Sequence, residues 1–122
     1  MLLSNGKNVL LFTPSYSEDN KQSLAMKYLK MAAESGVVEA QHNLGCQYLE
    51  GKNLKKDDLK ALAWFLQASA NGFIESKFNV VFMFLNDSDC GRIKKNPKAA
   101  LLKLQELRDL GEDVEAKIEE VL

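Results

Sequence analysis

Two cysteines, two prolines, one histidine and one tryptophan are all that these residue types contribute to a chain of 122 residues. Cys46 and Cys90 stand far apart and make no disulfide framework, which suits a reducing compartment, so a cytoplasmic location is expected. No apolar run approaches the ~20 residues that a membrane-spanning helix needs, so no membrane partner is expected. The first apolar stretch is broken by Ser4, Asn5, Gly6 and Lys7 and has no charged region ahead of it, unlike a secretory leader. Neither sign of charge dominates: 16 Lys and Arg against 17 Asp and Glu leave a net charge of −1. That balance supplies no overall attraction to nucleic acid or an anionic surface. What the chain does have is 46% hydrophobic and 27% charged residues, the proportions of a globular protein.

The second thing present is self-similarity. Ala25 to Gly36 aligns with Ala61 to Gly72, 36 residues later. In both, an alanine opens the segment, an aromatic (Tyr28 or Trp64) sits three residues on, a small pair (Ala32-Ala33 or Ala68-Ser69) follows, and glycine closes. Ala100 to Gly111 is a third, weaker copy with Leu107 and Arg108 at the small pair. Each copy places its small and apolar residues at the three-and-four spacing of one helical face. Ser17, Asp57 and Asn96 (followed by Pro97) are suitable N-caps, and Gly36, Gly72 and Gly111 suit left-handed stops. A second helix type lies between the copies, carrying Ala40, Leu44, Gly45 and Tyr48 in one instance and Ser76, Val80, Val81 and Phe84 in the next. Helices are expected near 18–35, 38–50, 57–71, 74–86, 97–110 and 113–121. Short links between them imply antiparallel hairpins stacked side by side. We label the two types B (the glycine-closed copies) and A (those between).

Ala40-x-x-x-Leu44-Gly45-x-x-Tyr48-x-x-Gly51 followed by Asp57-x-x-Lys60-Ala61-x-x-Trp64-Phe65-x-x-Ala68-Ser69-x-x-Gly72 resembles one complete unit of the Sel-one-like repeat family, a relative of tetratricopeptide repeats. The resemblance covers roughly residues 24 to 111 and weakens after Asn86. It implies an all-α fold, a short right-handed α/α solenoid. The expected organisation is one domain over 1–122: an irregular segment 1–16, a partial repeat 17–36, a complete repeat 37–72, a divergent repeat 73–111 and a capping helix 112–122. In the divergent repeat Val81 replaces the small glycine, and the loop after Phe84 is longer. Trp64 is expected at the centre of the complete repeat.

Candidate chemistry is thin. His42 and Cys46 share a helix face, but a metal needs three or four ligands and a nucleophile needs an oxyanion hole, and neither is in view. Asn86 to Gly91 lacks the ligands of a calcium loop, and Gly91 to Lys95 lacks the second glycine and Lys-Ser/Thr pair of a phosphate loop. No catalytic residue, metal or cofactor is therefore expected, and an enzyme of hydrolase type is the lesser alternative.

The family's functional face is the inner surface of its A helices. Carried over by alignment, partner contacts fall on Glu39, His42, Cys46, Leu49 and Glu50, then on Glu75, Phe78, Phe82, Leu85 and Asn86. Val80 to Leu85 makes the second of these helices apolar nearly all round, so something covers it: a partner, or the chain's own Val9 to Phe12 or final helix. Lys52, Lys55, Lys56, Arg92, Lys94, Lys95 and Lys98 gather in or beside the A–B loops, without the interleaved aromatics that base stacking uses. The expectation is a protein-interaction module of adaptor or inhibitor type, binding a protein, a peptide or a second copy of itself.

Overall fold

The computed structural model describes residues 18–87 and 92–122, with side chains from residue 23 onward. Ser17, the strip Val9 to Phe12, and Cys90 lie outside the described residues. Six helices follow in order: α1 (Glu18–Glu34), α2 (Val38–Glu50), α3 (Asp58–Ala70), α4 (Ile74–Leu85), α5 (Pro97–Asp109) and α6 (Glu115–Val121). Among the described residues there is no strand. Each helix packs chiefly on the one before it and the one after it, the contact pattern of a solenoid. This is the all-α stack of hairpins that the repeats imply.

Local chemistry accounts for the boundaries. Asp57, in extended conformation, accepts the Lys60 amide on its side chain at 3.1 Å and so starts α3. Asn96 does the same for the Ala99 amide at 3.1 Å, with Pro97 in the first turn, where a missing N–H costs nothing. The B helices end alike. Gly36, Gly72 and Gly111 take φ of 98°, 95° and 95°. The residue after each glycine then donates its N–H to the carbonyl five back: Val37 to Ala32 at 3.1 Å, Phe73 to Ala68 at 3.0 Å, and Glu112 to Leu107 at 3.0 Å.

The A–B connections also share one device, although their lengths differ. Asp57 N–H donates to the Tyr48 carbonyl at 3.0 Å, and Asn96 N–H donates to the equivalent Phe84 carbonyl at 2.6 Å. The hairpin thus closes on the equivalent atom although more residues separate Phe84 from Asn96 than Tyr48 from Asp57.

Two apolar clusters fill the stack. The first joins Ala33, Leu44, Tyr48, Ala61, Phe65, Val80 and Met83 with their neighbours; the second joins Val81, Ala100, Leu104, Leu107, Val114 and Ile118. Phe84 packs against both and links them. The centre of the complete repeat is Phe65, which is 0% exposed, and not Trp64, which is half-buried at the edge of the first cluster. The reason is Gly45. A methyl group there would meet the Phe65 ring at 2.8 Å, so the bare backbone of α2 is the wall on which that ring lies. Burying such a ring contributes about 1.5–3 kcal/mol. Fully buried Gln41 is paired on both ends: it donates to the Ala33 carbonyl at 3.2 Å and accepts from Asn71 at 3.3 Å, tying the ends of α1 and α3 to α2.

Candidate functional site

α4 carries more apolar side chains than one core can hide. Ser76, Val80 and Met83 turn inward, and Val81 faces the second cluster. Phe78 and Phe82 are left at the surface, 36% and 61% exposed. They wall a groove of about 560 Å³ between α4, α5 and α6. Val81, Leu85, Leu104 and Val121 line its apolar part; Asn86, Lys95, Lys117 and Glu120 supply its polar groups. Phe82 and Asn86 also line a second cavity, of about 410 Å³, with Leu49, Met83 and Ile93.

Of the residues expected to meet a partner, four therefore share the larger groove: Phe78, Phe82, Leu85 and Asn86. Asn86 also caps its own helix, its side-chain amide donating to the Phe82 carbonyl at 2.7 Å. Leu49 lies in the smaller cavity. Glu39, Glu50 and Glu75 are exposed and line neither.

His42 and Cys46 do something else. The imidazole sits against the Phe73 and Phe65 rings, with centroids 4.7 and 5.4 Å away, and its Nδ1 shares a hydrogen bond of 2.7 Å with Ser76 Oγ. Cys46 Sγ lies 3.6 Å from Nε2. Burial lowers the His42 pKa, partly opposed by the nearby Glu75 charge, and burial together with Glu50 raises that of Cys46. A thiol donating to Nε2 then fits a neutral ring donating from Nδ1 to Ser76. The pair joins α2 to α4. The Ser76–His42 distance equals that of a nucleophile and its base, but Ser76 is 0% exposed, so a substrate carbonyl has no approach to Oγ. Among the described residues no three His, Cys, Asp or Glu side chains converge as a metal would require. No helix there is long and apolar enough to cross a membrane.

Sequence reasoning named the final helix as one possible cover of this face but did not single out the residues on the α5–α6 side of the groove. Lys117, Glu120 and Val121 belong to a seven-residue helix whose register the repeat does not set, and Lys95 belongs to the lengthened loop. It also missed Asp58. Two adjacent aspartates stand where α3 begins, and the spacing does not say which one caps and which one turns inward.

Comparison with known proteins agrees with this architecture. The family model described as Sel1 repeat matches residues 16–37 and 38–73. A stretch of 68 residues is 37% identical to DAP3-binding cell death enhancer 1 of Rattus norvegicus, covering 56% of this chain and 13% of that protein. The crystal structure of a Sel1 repeat protein from Oxalobacter formigenes superposes with a TM-score of 0.62 at 20% identity, over 80% of this chain and 48% of that one. At that identity the likeness concerns the fold. The chain thus spans a small part of the rat protein and about half of the bacterial one.

Proposed function

Through residues 16–73 the chain belongs to the Sel1 repeat family, and from that premise we propose that it holds a partner protein or peptide in the α4–α6 groove. Repeats of this family generally mediate protein–protein interaction. The observation that carries the reading is Phe82, a phenyl ring 61% exposed at the mouth of an apolar groove, with Phe78 one turn away. Desolvating such rings supplies much of the affinity at protein interfaces, and a polar rim such as Lys95, Lys117 and Glu120 sets orientation. Helix α2 contributes by holding α4 in place through His42 and Ser76.

An adaptor or inhibitor role in the cytoplasm fits this module. Hydrolysis would need an accessible nucleophile beside a base, and buried Ser76 does not offer one. The test is capture of partners by the tagged protein in its native host, beside the Phe78→Ser/Phe82→Ser variant, with mass spectrometry as readout. The reading expects a protein retained by the wild type and lost by the variant. Equal retention by both would move the binding face elsewhere, with the basic edge at Lys55, Lys56, Lys94 and Lys95 as next candidate.

A further inference from the structure

The α2–α3 and α4–α5 connections meet at one edge of the stack, and that edge gathers the positive charge. Arg92 of the second connection reaches Asp57 of the first, with 3.9 Å between Nη1 and Oδ1. Lys56, Asp87 and Ile93, drawn from both connections, line the smaller cavity beside Phe82. Residues 51–60 carry Lys52, Lys55, Lys56 and Lys60; residues 86–98 carry Arg92, Lys94, Lys95 and Lys98; all are exposed. Against these eight cations the same two stretches hold four carboxylates, which makes the edge +4. The whole chain carries −1, so everything else carries −5. Three of the four carboxylates are already engaged. Asp57 pairs with Arg92, Asp58 with Lys56, and Asp87 accepts the Lys95 amide at 2.7 Å. Among the described residues the other six cations form no ion pair. Helix electrostatics do not explain the concentration. Cations are favoured at the C-termini of α2 and α4, but Lys60 and Lys98 lie in the first turns of α3 and α5, where the dipole disfavours them.

The edge is continuous with the groove. Lys95 belongs to both, and Phe82 and Asn86 line the groove on one side and the smaller cavity on the other. The α6 wall differs: its Lys117 is held by Glu120 at 3.3 Å, so it offers no spare positive charge. We infer that the partner segment held in the groove is acidic, with apolar side chains covering Phe78 and Phe82 and a run of carboxylates laid along the edge at Lys55, Lys94 and Lys95. This rests on the partner-binding reading and names the chemistry of the segment bound. A polypeptide fits better than a nucleic acid. Leu49, Met83 and Ile93 stand among the cations and suit apolar side chains, while the two connections contain no aromatic ring for a base to stack on. Seven of the eight cations are lysines, point charges without the planar fork with which arginine grips phosphate. Exposed lysines contribute little singly, so their effect is collective: faster encounter with acidic segments and rejection of basic ones.

The probe is a fluorescent peptide with a Leu-Phe core followed by a short run of glutamates; its counterpart has glutamine in their place. At low salt the glutamate peptide should bind about tenfold more tightly. That preference should vanish near ~1 M salt, where the screening length is only ~3 Å. Lys55→Glu/Lys94→Glu, at two exposed positions without ion pairs, should keep the fold and abolish the preference. Phe78→Ser/Phe82→Ser should weaken both peptides alike. Equal affinity for the two peptides, no binding of the glutamate peptide, or a preference that survives the lysine substitutions overturns the inference. So does tighter binding of a uridine oligonucleotide of equal charge, which would assign the edge to phosphate. Equal affinities that still depend on Phe78 and Phe82 would retain the proposed function and discard the acidic segment. A glutamate preference unchanged by Phe78→Ser/Phe82→Ser would instead discard the groove.

Discussion

The hairpins α2–α3 and α4–α5 solve one packing problem in opposite ways. In the first, Gly45 removes its side chain so that the Phe65 ring can lie on the backbone of α2. In the second, Val81 stands at the glycine position and Leu104 at the phenylalanine position, both buried in the second cluster. Volume taken from one helix is returned by the other, so the hairpin is kept while the pair of residues changes. The difference has a consequence for the surface. α4 carries apolar residues all round, and the two it cannot bury, Phe78 and Phe82, become the groove. On α2 the Phe78 position holds His42, hydrogen-bonded into the stack. One repeat is committed to holding the structure, and the next displays apolar surface.

The largest expected effect is at the ring itself. Phe65→Ala should destabilise by ~3–5 kcal/mol, read as the shift in thermal or denaturant midpoint, and Trp64→Ala should cost less because Trp64 is only half-buried. A Trp64 variant that loses more than the Phe65 variant would show that the two sites are exchanged. Next is the glycine. Gly45→Ala should cost ~1–3 kcal/mol through overpacking, whereas Val81→Ala should cost ~1–2 kcal/mol through a cavity. If the two hairpins trade volume as described, Gly45→Ala combined with Phe65→Leu must lose clearly less than the two single losses added together. Strict additivity would mean the residues do not share one space.

Much of this was legible beforehand because the informative residues act locally. Asp57, Asn96-Pro97 and the three closing glycines mark helix ends by chemistry within one turn, so the expected boundaries agree with the observed ones to within two residues. Which aromatic becomes the centre was not legible. Trp64 and Phe65 are adjacent, both fit the periodicity, and the choice depends on where the bare backbone of Gly45 falls in the partner helix. The site was legible only in part for the same reason. Phe78, Phe82, Leu85 and Asn86 follow one helix and come together as spaced. The opposite wall comes from α6, placed by a divergent loop and a short helix. His42 and Cys46 share their helix face as expected, but what they meet, Ser76 and two rings, depends on tertiary packing.

The smaller effects test the loops and the histidine. Removing either cap, by Asp57→Ala or Asn96→Ala, should cost about 1 kcal/mol; similar losses would show that the longer loop leaves the closure of its hairpin intact. The weakest effect is one of pH. The folded-state pKa of His42 is lowered by burial, so the unfolded chain binds the extra proton first. This contribution is present above the ordinary value of about 6.5 and is lost as pH falls through the lower, folded value. A modest drop in melting temperature between pH 7.5 and 5.5 should therefore shrink in His42→Gln. An undiminished drop would assign it to other groups.

If the repeat with the uncovered rings is the one that binds, retention of the partner depends on those rings. That dependence is tested most directly by measuring how much partner the wild-type protein and the Phe78→Ser/Phe82→Ser variant retain in the native host, after circular dichroism has shown equal helicity and comparable melting. The variant should keep its fold and lose the partner. A variant that is fully folded and retains as much partner as the wild type would contradict that dependence.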